Sequence, residues 1–254
     1  MINGINSREM ILEILLEIEE GEHSHVAIRN ALSKYQFLPK QDRAFITRVC
    51  EGTLEYRIQI DYIINSFSKV TVDKMKPAIR EILRSAVYQL KYMDSVPDSA
   101  VCNEAVKLAQ RKGFYNLKPF VNGVLRTIAR EMDQVRFPQK EDDLLKYLSV
   151  KYSMPEVLVT RWLEAYGEET TEKILADFLM EHPLTIRCRT YLNSKEEVIK
   201  SLESQGVHVA PAPYLPYAYS ISEFNHILAL DAFIKGKIVV QDVSSMLVAE
   251  VATL

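Results

Sequence analysis

The residues of this sequence with the clearest capacity for binding are basic side chains near the middle of the chain. Arg111 and Lys112 are adjacent, and Lys118 and Arg130 follow on the next predicted helix. Arginine and lysine bind phosphate oxygens through charge-assisted hydrogen bonds and dominate sequence-independent affinity for nucleic acid. We therefore predict that these four residues contact a nucleic-acid backbone. The alternative is that they keep a helix surface soluble or form internal ion pairs.

Charge is distributed unevenly along the 254 residues, although the formal net charge is only −3. Residues 1–28 carry net −5, and residues 131–254 carry net −7. Residues 29–130 contain 18 Lys/Arg and 9 Asp/Glu, which gives net +9. A basic segment between two acidic ones indicates an anionic partner, with nucleic acid the obvious candidate. A set of solvated helix faces explains the charge alone equally well.

Hydrophobic periodicity predicts the elements that position these cations. Apolar residues recur with a helical period in seven segments of residues 1–132, joined by short connections and without strand signals. This pattern is typical of an all-α bundle. The segment at about 117–132 has a continuous apolar stripe and is expected at the centre of the bundle. Because glycine inside a helix costs about 1 kcal/mol, Gly123 predicts that another backbone packs closely there.

The rest of the chain changes character after a polar stretch at 131–141. Further helices are predicted as far as residue 183, with Gly167 as a helix stop. From Leu184 apolar and polar residues alternate, as in a half-buried strand. The predicted organisation is a helical domain at 1–137, a helical linker at 138–183, a small α/β domain at 184–235 and the beginning of another domain at 236–254.

Six short motifs follow one another within the first 132 residues. They are Asp42-Arg43-Ala44-Phe45, Glu51-Gly52-Thr53-Leu54, Glu81-Ile82-Leu83-Arg84, Tyr88-Gln89-Leu90, Glu104-Ala105-Val106 and Phe120-Val121-Asn122-Gly123-Val124-Leu125-Arg126. Their order and spacing resemble the NusB family of RNA-binding helical domains. The resemblance implies that the anionic partner is RNA. For Arg84 and Arg126, which lie beside apolar residues, a structural ion pair or cap is the preferred interpretation, and Asn122 is expected to bond to helix backbone.

Motifs of the second half narrow the resemblance. They are Tyr152-Ser153-Met154-Pro155-Glu156, Leu184-Thr185-Ile186-Arg187 and Val240-Gln241-Asp242-Val243-Ser244-Ser245-Met246. They resemble the RsmB (Sun) family of bacterial 5-methylcytosine methyltransferases that act on small-subunit (16S) ribosomal RNA. The resemblance implies a mainly α fold: a NusB-like bundle, a helical plus α/β (RRM-like) linker domain, and the first edge of a Rossmann-like methyltransferase domain. It also implies structured ribosomal RNA as partner, a cytoplasmic location, and protein docking to the bundle as a further option.

The same resemblance places the chemistry outside this chain. The glycine-rich loop for S-adenosylmethionine and the two catalytic cysteines of the family would follow Leu254. No catalytic residue and no bound cofactor are therefore expected here, and the fragment is predicted to be inactive. Cys50, Cys102 and Cys188 match neither cysteine motif and are expected to be small buried hydrophobes. The histidines have no metal-ligand spacing, and no segment is long and apolar enough to span a membrane.

Individual residues of the second half have predicted roles too. Arg187 is expected to contact RNA, whereas Arg189, on the same strand face, stands where the family has asparagine. Gln241 and Asp242 are expected near the cofactor or target base of the full enzyme, and Asp242 is also a predicted helix N-cap. Three tyrosines near a proline run are expected to pack a loop rather than stack on bases: Tyr214, Tyr217 and Tyr219.

A stand-alone NusB-like RNA-binding factor is the alternative function. It would act in transcription antitermination or ribosome assembly and would carry no enzyme. The extension beyond residue 132 favours the methyltransferase, because free-standing members of the NusB family end near that position.

Overall fold

The described residues between 6 and 131 form seven α-helices, in agreement with the sequence prediction. They are α1 (Ser7–Glu19), α2 (Ser24–Lys34), α3 (Lys40–Glu55), α4 (Arg57–Phe67), α5 (Pro77–Tyr92), α6 (Asp98–Arg111) and α7 (Lys118–Glu131). The computed structural model describes residues 6–35, 38–180, 182–224 and 226–252. The chain divides into two compact units, residues 1–179 and 180–254. Within the described residues, no helix combines the length and apolar character needed to cross a bilayer.

Helix α5, rather than α7, is the centre of the bundle. It packs against α1, α3, α4, α6 and α7. Even its polar residues Glu81, Arg84, Ser85 and Gln89 are buried. Of the predicted stripe of α7, Val121, Val124, Leu125 and Ile128 are buried and Phe120 is partly buried, and α7 packs against fewer helices than α5 does. The sequence pattern identified the buried face of α7 correctly and could not rank the helices by number of partners.

The close contact between helices that was expected at Gly123 is found instead at Gly52. Gly123 is exposed, and a Cβ atom added to it would meet nothing within 4 Å. The predicted close backbone approach at Gly123 is therefore wrong. It is Gly52 of α3 that permits close packing, because a Cβ atom there would lie 2.1 Å from Cζ of Tyr88 on α5. Glycine at position 52 lets the Tyr88 ring lie directly on the backbone of α3.

Residues 132–179 belong to the same unit as the bundle. After a 3₁₀ turn at Met132–Gln134 come α8 (Leu144–Lys151) and α9 (Glu156–Phe178). The side chain of Gln59 donates to the carbonyl oxygens of Val150 and Lys151, both at 3.1 Å. The sequence-based boundary at 137/138 thus separates segments that the structure holds together in one compact unit.

Helix α9 is broken where the sequence predicted a stop. Gly167 has φ 74° and ψ 174°, a conformation outside any helix, and divides α9 into two helical halves. Because this region of backbone space is essentially restricted to glycine, the residue type and the break agree. A small separate core formed by Leu148, Val159 and Leu175 joins both halves to α8.

The second unit is built on a four-stranded antiparallel sheet. Its elements are β1 (Leu184–Cys188), α10 (Lys195–Glu203), β2 (His208–Pro211), β3 (Ala218–Ser222), α11 (Asp231–Ile234), β4 (Ile238–Val240) and α12 (Val243–Val251). The strand order is β2-β3-β1-β4. This order and connectivity form the split βαβ arrangement, which confirms the predicted RRM-like domain. Its main core includes Ile186, Val198, Leu202 and Ile221.

Strand β4 belongs to this sheet. It pairs with β1 through Cys188↔Ile238 and Ile186↔Val240. The boundary predicted at 235/236, which assigned the strand to the beginning of a Rossmann-like domain, therefore divides a single sheet. The sequence showed a strand but not its pairing partner, which depends on contacts about 50 residues away in sequence. The helix predicted to run to Leu254 is described only as far as Val251, and residues 253–254 lie outside the described residues.

Candidate nucleic-acid interface

The acidic first helix neutralises two of the predicted phosphate ligands. Lys112 Nζ lies 3.0 Å from Oε1 of Glu13 and 3.3 Å from Oε1 of Glu9. Arg111 lies 3.6 Å from Glu9 and 3.7 Å from Glu104. The hydrogen bond to Glu13 raises the pKa of Lys112. The charge contrast between residues 1–28 and 29–130 is therefore partly an internal pairing of α1 with the end of α6, so Arg111 and Lys112 are less available to an external anion.

The other two predicted cations of the bundle differ in their partners. Lys118 Nζ donates to the side-chain oxygen of Gln110 at 2.9 Å, a neutral acceptor that does not compensate its charge. Arg130 donates to Oε1 of its neighbour Glu131 at 2.6 and 3.0 Å, yet 69% of its side chain is exposed. An exposed pair of this kind is worth about 0–1 kcal/mol, so Arg130 can exchange Glu131 for a phosphate. The predicted RNA contacts at Lys118 and Arg130 remain predictions.

A shallow cleft beside Arg130 contains a second guanidinium. The cleft has a volume of about 310 Å³ and is lined by Asp98, Ser99, Cys102, Arg126, Ala129 and Arg130. Arg126 donates to the side-chain oxygens of Asn103 at 3.2 Å and Asn122 at 3.3 Å. Both acceptors are neutral amides, so neither of them cancels the positive charge of Arg126. Sequence reasoning assigned Arg126 to a structural pair, and it assigned Asn122 to a backbone bond. The structure gives Arg126 neutral side-chain partners and makes Asn122 one of them.

The amino end of α6 also lines this cleft. Unpaired N–H groups at a helix N-terminus carry partial positive charge and attract anions, but Asp98, the first residue of α6, brings a carboxylate to the cleft. The cleft therefore contains two guanidinium groups and one carboxylate. No single sequence motif marks the cleft, because α6 and α7 reach it from positions 28 residues apart in sequence.

Arg84 has the structural role that was predicted for it. Its guanidinium forms two hydrogen bonds of 2.7 Å to the carboxylate of Asp61 and one of 2.5 Å to Glu81. Glu81 is buried, and this burial raises its pKa. A buried carboxylate requires a paired cation, so Arg84 is committed to the core of the bundle.

Arg187 of the second unit lies on the sheet face opposite the main core. Its neighbours on β1, Ile186 and Cys188, belong to that core. Arg187 is paired in register with Ala218 on one side and Val239 on the other. Its Nε atom is buried and has no hydrogen-bond partner, and the same is true of Arg189. Because both Nε atoms are buried, an external anion can reach only the outer nitrogens of these guanidinium groups.

Asp242 caps the last helix, as one of its two interpretations predicted. Its Oδ1 accepts hydrogen bonds from Ser244 N at 2.8 Å and from Ser244 Oγ at 2.6 Å. These bonds lower the pKa of Asp242. The backbone carbonyl of Gln241 accepts from Thr185 Oγ1 at 2.9 Å, which ties the segment to β1. The predicted position of both residues near a cofactor or target base stays a prediction.

The cysteines have the surroundings of structural residues. Cys50, Cys102 and Cys188 are all buried and free. Burial raises the pKa of Cys188 to about 11 and also raises the pKa of Cys50 and Cys102. Thiols of this kind are protonated at neutral pH and do not act as nucleophiles. Among the described residues, no three His, Cys, Asp or Glu side chains are grouped as metal ligands.

Comparison with known proteins agrees with the two kinds of fold. Residues 5–130 match the NusB family, and residues 154–227 match the ferredoxin-like domain of RsmF/B-like methyltransferases. The transcription antitermination protein NusB of Dictyoglomus thermophilum is 33% identical over 130 residues, which are 51% of this chain and 85% of that protein. The chain therefore belongs to the NusB family, with an RsmF/B-type ferredoxin-like domain as its second part.

The particular relatives that extend over both parts are ribosomal RNA methyltransferases by name. The probable ribosomal RNA small subunit methyltransferase B of Bacillus subtilis is 32% identical over 242 residues, which are 95% of this chain and 53% of that protein. The chain spans about half the length of such curated relatives. The crystal structure of PH0851 shares the fold with a TM-score of 0.70 and 24% identity, covering 98% of this chain and 56% of that one.

Proposed function

We propose that this chain is the RNA-recognition part of a ribosomal RNA cytosine-C5 methyltransferase that uses S-adenosylmethionine. The observation that carries the proposal is the joint presence of a NusB domain and an RsmF/B-type ferredoxin-like domain in one chain, in the order found in relatives named small subunit methyltransferase B. A stand-alone antitermination or ribosome-assembly factor needs only the first of these domains. The second domain therefore favours the methyltransferase over the alternative.

Cations that carboxylates neutralise only weakly support RNA as the ligand. Arg126 and Lys118 are held by neutral amides. Arg130 is 69% exposed and pairs with its neighbour Glu131, and Arg187 lies between Ala218 and Val239 in the sheet. Guanidinium groups bind phosphate oxygens in a bidentate geometry and remain charged at every physiological pH. We assign the cleft between α6 and α7 as the principal phosphate contact of the bundle.

The residues described here do not fit S-adenosylmethionine. Nucleotide-type cofactors bind where a strand leads through a glycine-rich turn into a helix. The connection from β4 to α12 is Gln241-Asp242, which contains no glycine, and Asp242 is occupied as a helix cap. We therefore derive no methyl-transfer step from this chain and expect isothermal calorimetry to detect no tight S-adenosylmethionine binding to it.

Salt-dependent RNA binding tests the proposal at the level of single cations. Fluorescence anisotropy with a labelled ribosomal RNA hairpin is expected to show affinity that falls steeply between 50 and 200 mM salt, roughly 10³-fold if about six phosphates are contacted. Arg126→Gln should reduce the slope of log affinity against log salt by about one. Lys112→Gln, which removes a cation already paired with Glu9 and Glu13, should change it much less.

Two results would contradict the proposal. A flat salt response of the wild-type chain would mean that the basic segment only keeps the helices soluble. Equal losses in Arg126→Gln and Lys112→Gln would mean that ion pairing with α1 does not decide which cations meet the RNA. Circular dichroism spectra of both variants provide the control for folding.

A further inference from the structure

Three connecting segments of the second unit meet at one end of its sheet. Strand β1 ends at Cys188, whose N–H donates to the carbonyl of Tyr217 just before β3 at 2.9 Å. The N–H of Arg189 donates to the carbonyl of Lys237 just before β4, also at 2.9 Å. Segments 189–195, 211–217 and 235–237 are therefore neighbours, although they are far apart in sequence. We call this region the loop end of the sheet.

Positive charge is concentrated at the loop end. Residues 180–254 contain six Lys/Arg and eight Asp/Glu, so the unit as a whole is slightly acidic. Five of the six cations belong to the loop end or to the last two residues of β1 before it: Arg187, Arg189, Lys195, Lys235 and Lys237. The three segments themselves contain no acidic residue. The composition of the unit does not show this concentration of positive charge. The sheet topology creates it by bringing the three segments together.

Carboxylates also border the loop end. Glu196 and Glu197 follow Lys195 in the first turn of α10, Asp231 pairs with Lys235 at 3.0 Å, and the side chain of Glu250 is bonded to the hydroxyl of Tyr217. The Nε atoms of Arg187 and Arg189 are buried and, among the described residues, have no hydrogen-bond partner. An external phosphate can therefore meet these guanidinium groups only through their outer nitrogens, and it can meet Lys237 beside them.

Two exposed tyrosines stand among the cations. Tyr191 follows β1 and is 76% exposed, and Tyr214 between β2 and β3 is 83% exposed. Tyr217 and Tyr219, in contrast, pack into the two cores of the unit. The expectation that all three tyrosines near the prolines pack a loop holds for Tyr217 and Tyr219 and is wrong for Tyr214.

The backbone of Tyr214 shows that its exposure is not a result of a loose loop. Tyr214 has φ 70°, which is unfavourable for a bulky side chain. Leu215 beside it is 8% exposed and anchors the segment in a small core with Ala218 and Met246. Pro213 and Pro216 restrict the chain on both sides. The Tyr214 ring thus contributes little to packing, and the fold keeps it exposed to solvent despite the unfavourable backbone conformation. This combination is expected of a side chain that contacts a ligand.

Stacking on the sheet surface is partly blocked in this unit. Sheet domains of the RRM type stack bases on aromatic residues of the open face. Here Ala218, on the face opposite the main core, is covered by Met246 of α12. The exposed rings of Tyr191 and Tyr214 lie instead in the segments of the loop end, which also contain Arg189 and Lys237.

We propose that the loop end binds single-stranded RNA, with Tyr191 and Tyr214 stacking on unpaired bases and Arg187, Arg189 and Lys237 contacting the phosphates. Aromatic rings within a basic groove are the usual means of binding unpaired nucleotides, since every base offers a stacking face. A duplex hides its base faces and gains only from the cations. This inference rests on the proposed RNA-binding function and identifies the kind of RNA segment that the second unit recognises.

The test compares a labelled 12-nucleotide RNA without self-complementarity and a 12-base-pair RNA duplex, both measured by anisotropy with the full chain. Tyr214→Asn is the informative variant, because asparagine tolerates positive φ and so preserves the loop while removing the ring. Tyr214→Asn and Tyr191→Ala should each weaken single-strand binding by about tenfold and leave duplex binding unchanged. Tyr214→Phe, which keeps the ring, should bind as the wild type does.

The controls separate this inference from the proposed function. Tyr166→Ala removes another exposed tyrosine, on α9 of the first unit, and should have no effect. If the wild type binds RNA in a salt-dependent manner but both loop-end variants bind the single strand normally, the inference is wrong and the tyrosines serve a protein contact instead. Equal losses on single strand and duplex would also overturn it. A wild-type chain that binds neither RNA contradicts the proposed function itself.

Discussion

The availability of a cation depends on its nearest partner more than on its exposure. Lys112 and Arg126 both lie on the surface of the bundle, but Lys112 faces two carboxylates of α1 and Arg126 faces two neutral amides. A phosphate must displace the carboxylates in the first case and only neutral amides in the second, although Asp98 lines the same cleft as Arg126. Both residues are cations of the same basic segment, so their partners distinguish them.

The two helical glycines give a matched prediction for stability. Gly52→Ala places a methyl group 2.1 Å from Cζ of Tyr88, and overpacking of a core typically costs about 1–3 kcal/mol. Gly123→Ala introduces a methyl group into open space and should stabilise the protein by about 1 kcal/mol through helix propensity. Urea denaturation measures both changes in the free energy of unfolding, and changes of the same sign would contradict the packing at Gly52.

At the scale of elements, one carboxylate connects α8 and α9 with the preceding segment. Glu172 of α9 accepts from Lys140 at 2.9 Å, Lys151 at 3.0 Å and the hydroxyl of Tyr152 at 3.1 Å. The hydrogen bonds, first that of Lys140 and then that of Lys151, lower the pKa of Glu172 to about 2. A single side chain thus joins three segments that share only a small apolar core.

This network predicts acid sensitivity of α8 and α9. Because the folded pKa of Glu172 is depressed below its ordinary value of 4.5, its contribution is complete above pH 4.5 and is lost as the pH falls from 4.5 towards 2. Allowing for solvent screening of a partly exposed group, we expect Glu172 to contribute about 1–2 kcal/mol to the free energy of unfolding. In denaturation experiments between pH 3 and 7, Glu172→Gln should therefore be less stable than the wild type at pH 7, and the difference should shrink towards pH 3.

Glu169→Gln is the control for this prediction. Glu169 lies on the same helix and pairs with Lys173 at 2.7 Å, but its side chain is 86% exposed. An exposed i,i+4 pair contributes only about 0.3–0.5 kcal/mol. If both variants lost the same stability at neutral pH, the connecting role of Glu172 would be refuted.

At the scale of the whole molecule, the charge pattern has two consequences. Acidic α1 pairs with cations at the end of α6 and with Arg80 of α5, so part of the basic character of residues 29–130 is cancelled within the first unit. In the second unit the topology does the opposite, since it gathers five cations at one end of an overall acidic sheet domain. The net charge of a stretch of sequence therefore does not predict the surface charge of either unit.

Removal of the acidic partners provides a test of this internal cancellation. Glu9→Gln combined with Glu13→Gln should release Arg111 and Lys112, raise RNA affinity and steepen its salt dependence by up to about two phosphate contacts. Glu17→Gln combined with Glu20→Gln changes the net charge equally on the same helix, and neither residue pairs with a cation in the described part of the chain. Anisotropy titrations that gave the same gain for both pairs would show that only net charge matters.

Local patterns in the sequence were sufficient for the elements and for the class of protein. Helical periodicity predicted the seven helices, Asn6 caps α1 through the N–H groups of Arg8 and Glu9, and Gly167 breaks α9. Motif order identified the family. These features depend on residues within a few positions of one another, so the sequence alone is sufficient to predict them.

The functional surface was decided only by the tertiary structure. The partners of Arg126 and Lys112, the contact between Gly52 and Tyr88, the pairing of β4 with β1 and the exposure of Tyr214 all join residues that are distant in sequence or depend on what covers them. A cation and its neutralising carboxylate can be about 100 residues apart, as Lys112 and Glu13 are. Sequence alone therefore identified the cations that could meet an anionic partner, and the tertiary structure determined which of them are already paired with carboxylates.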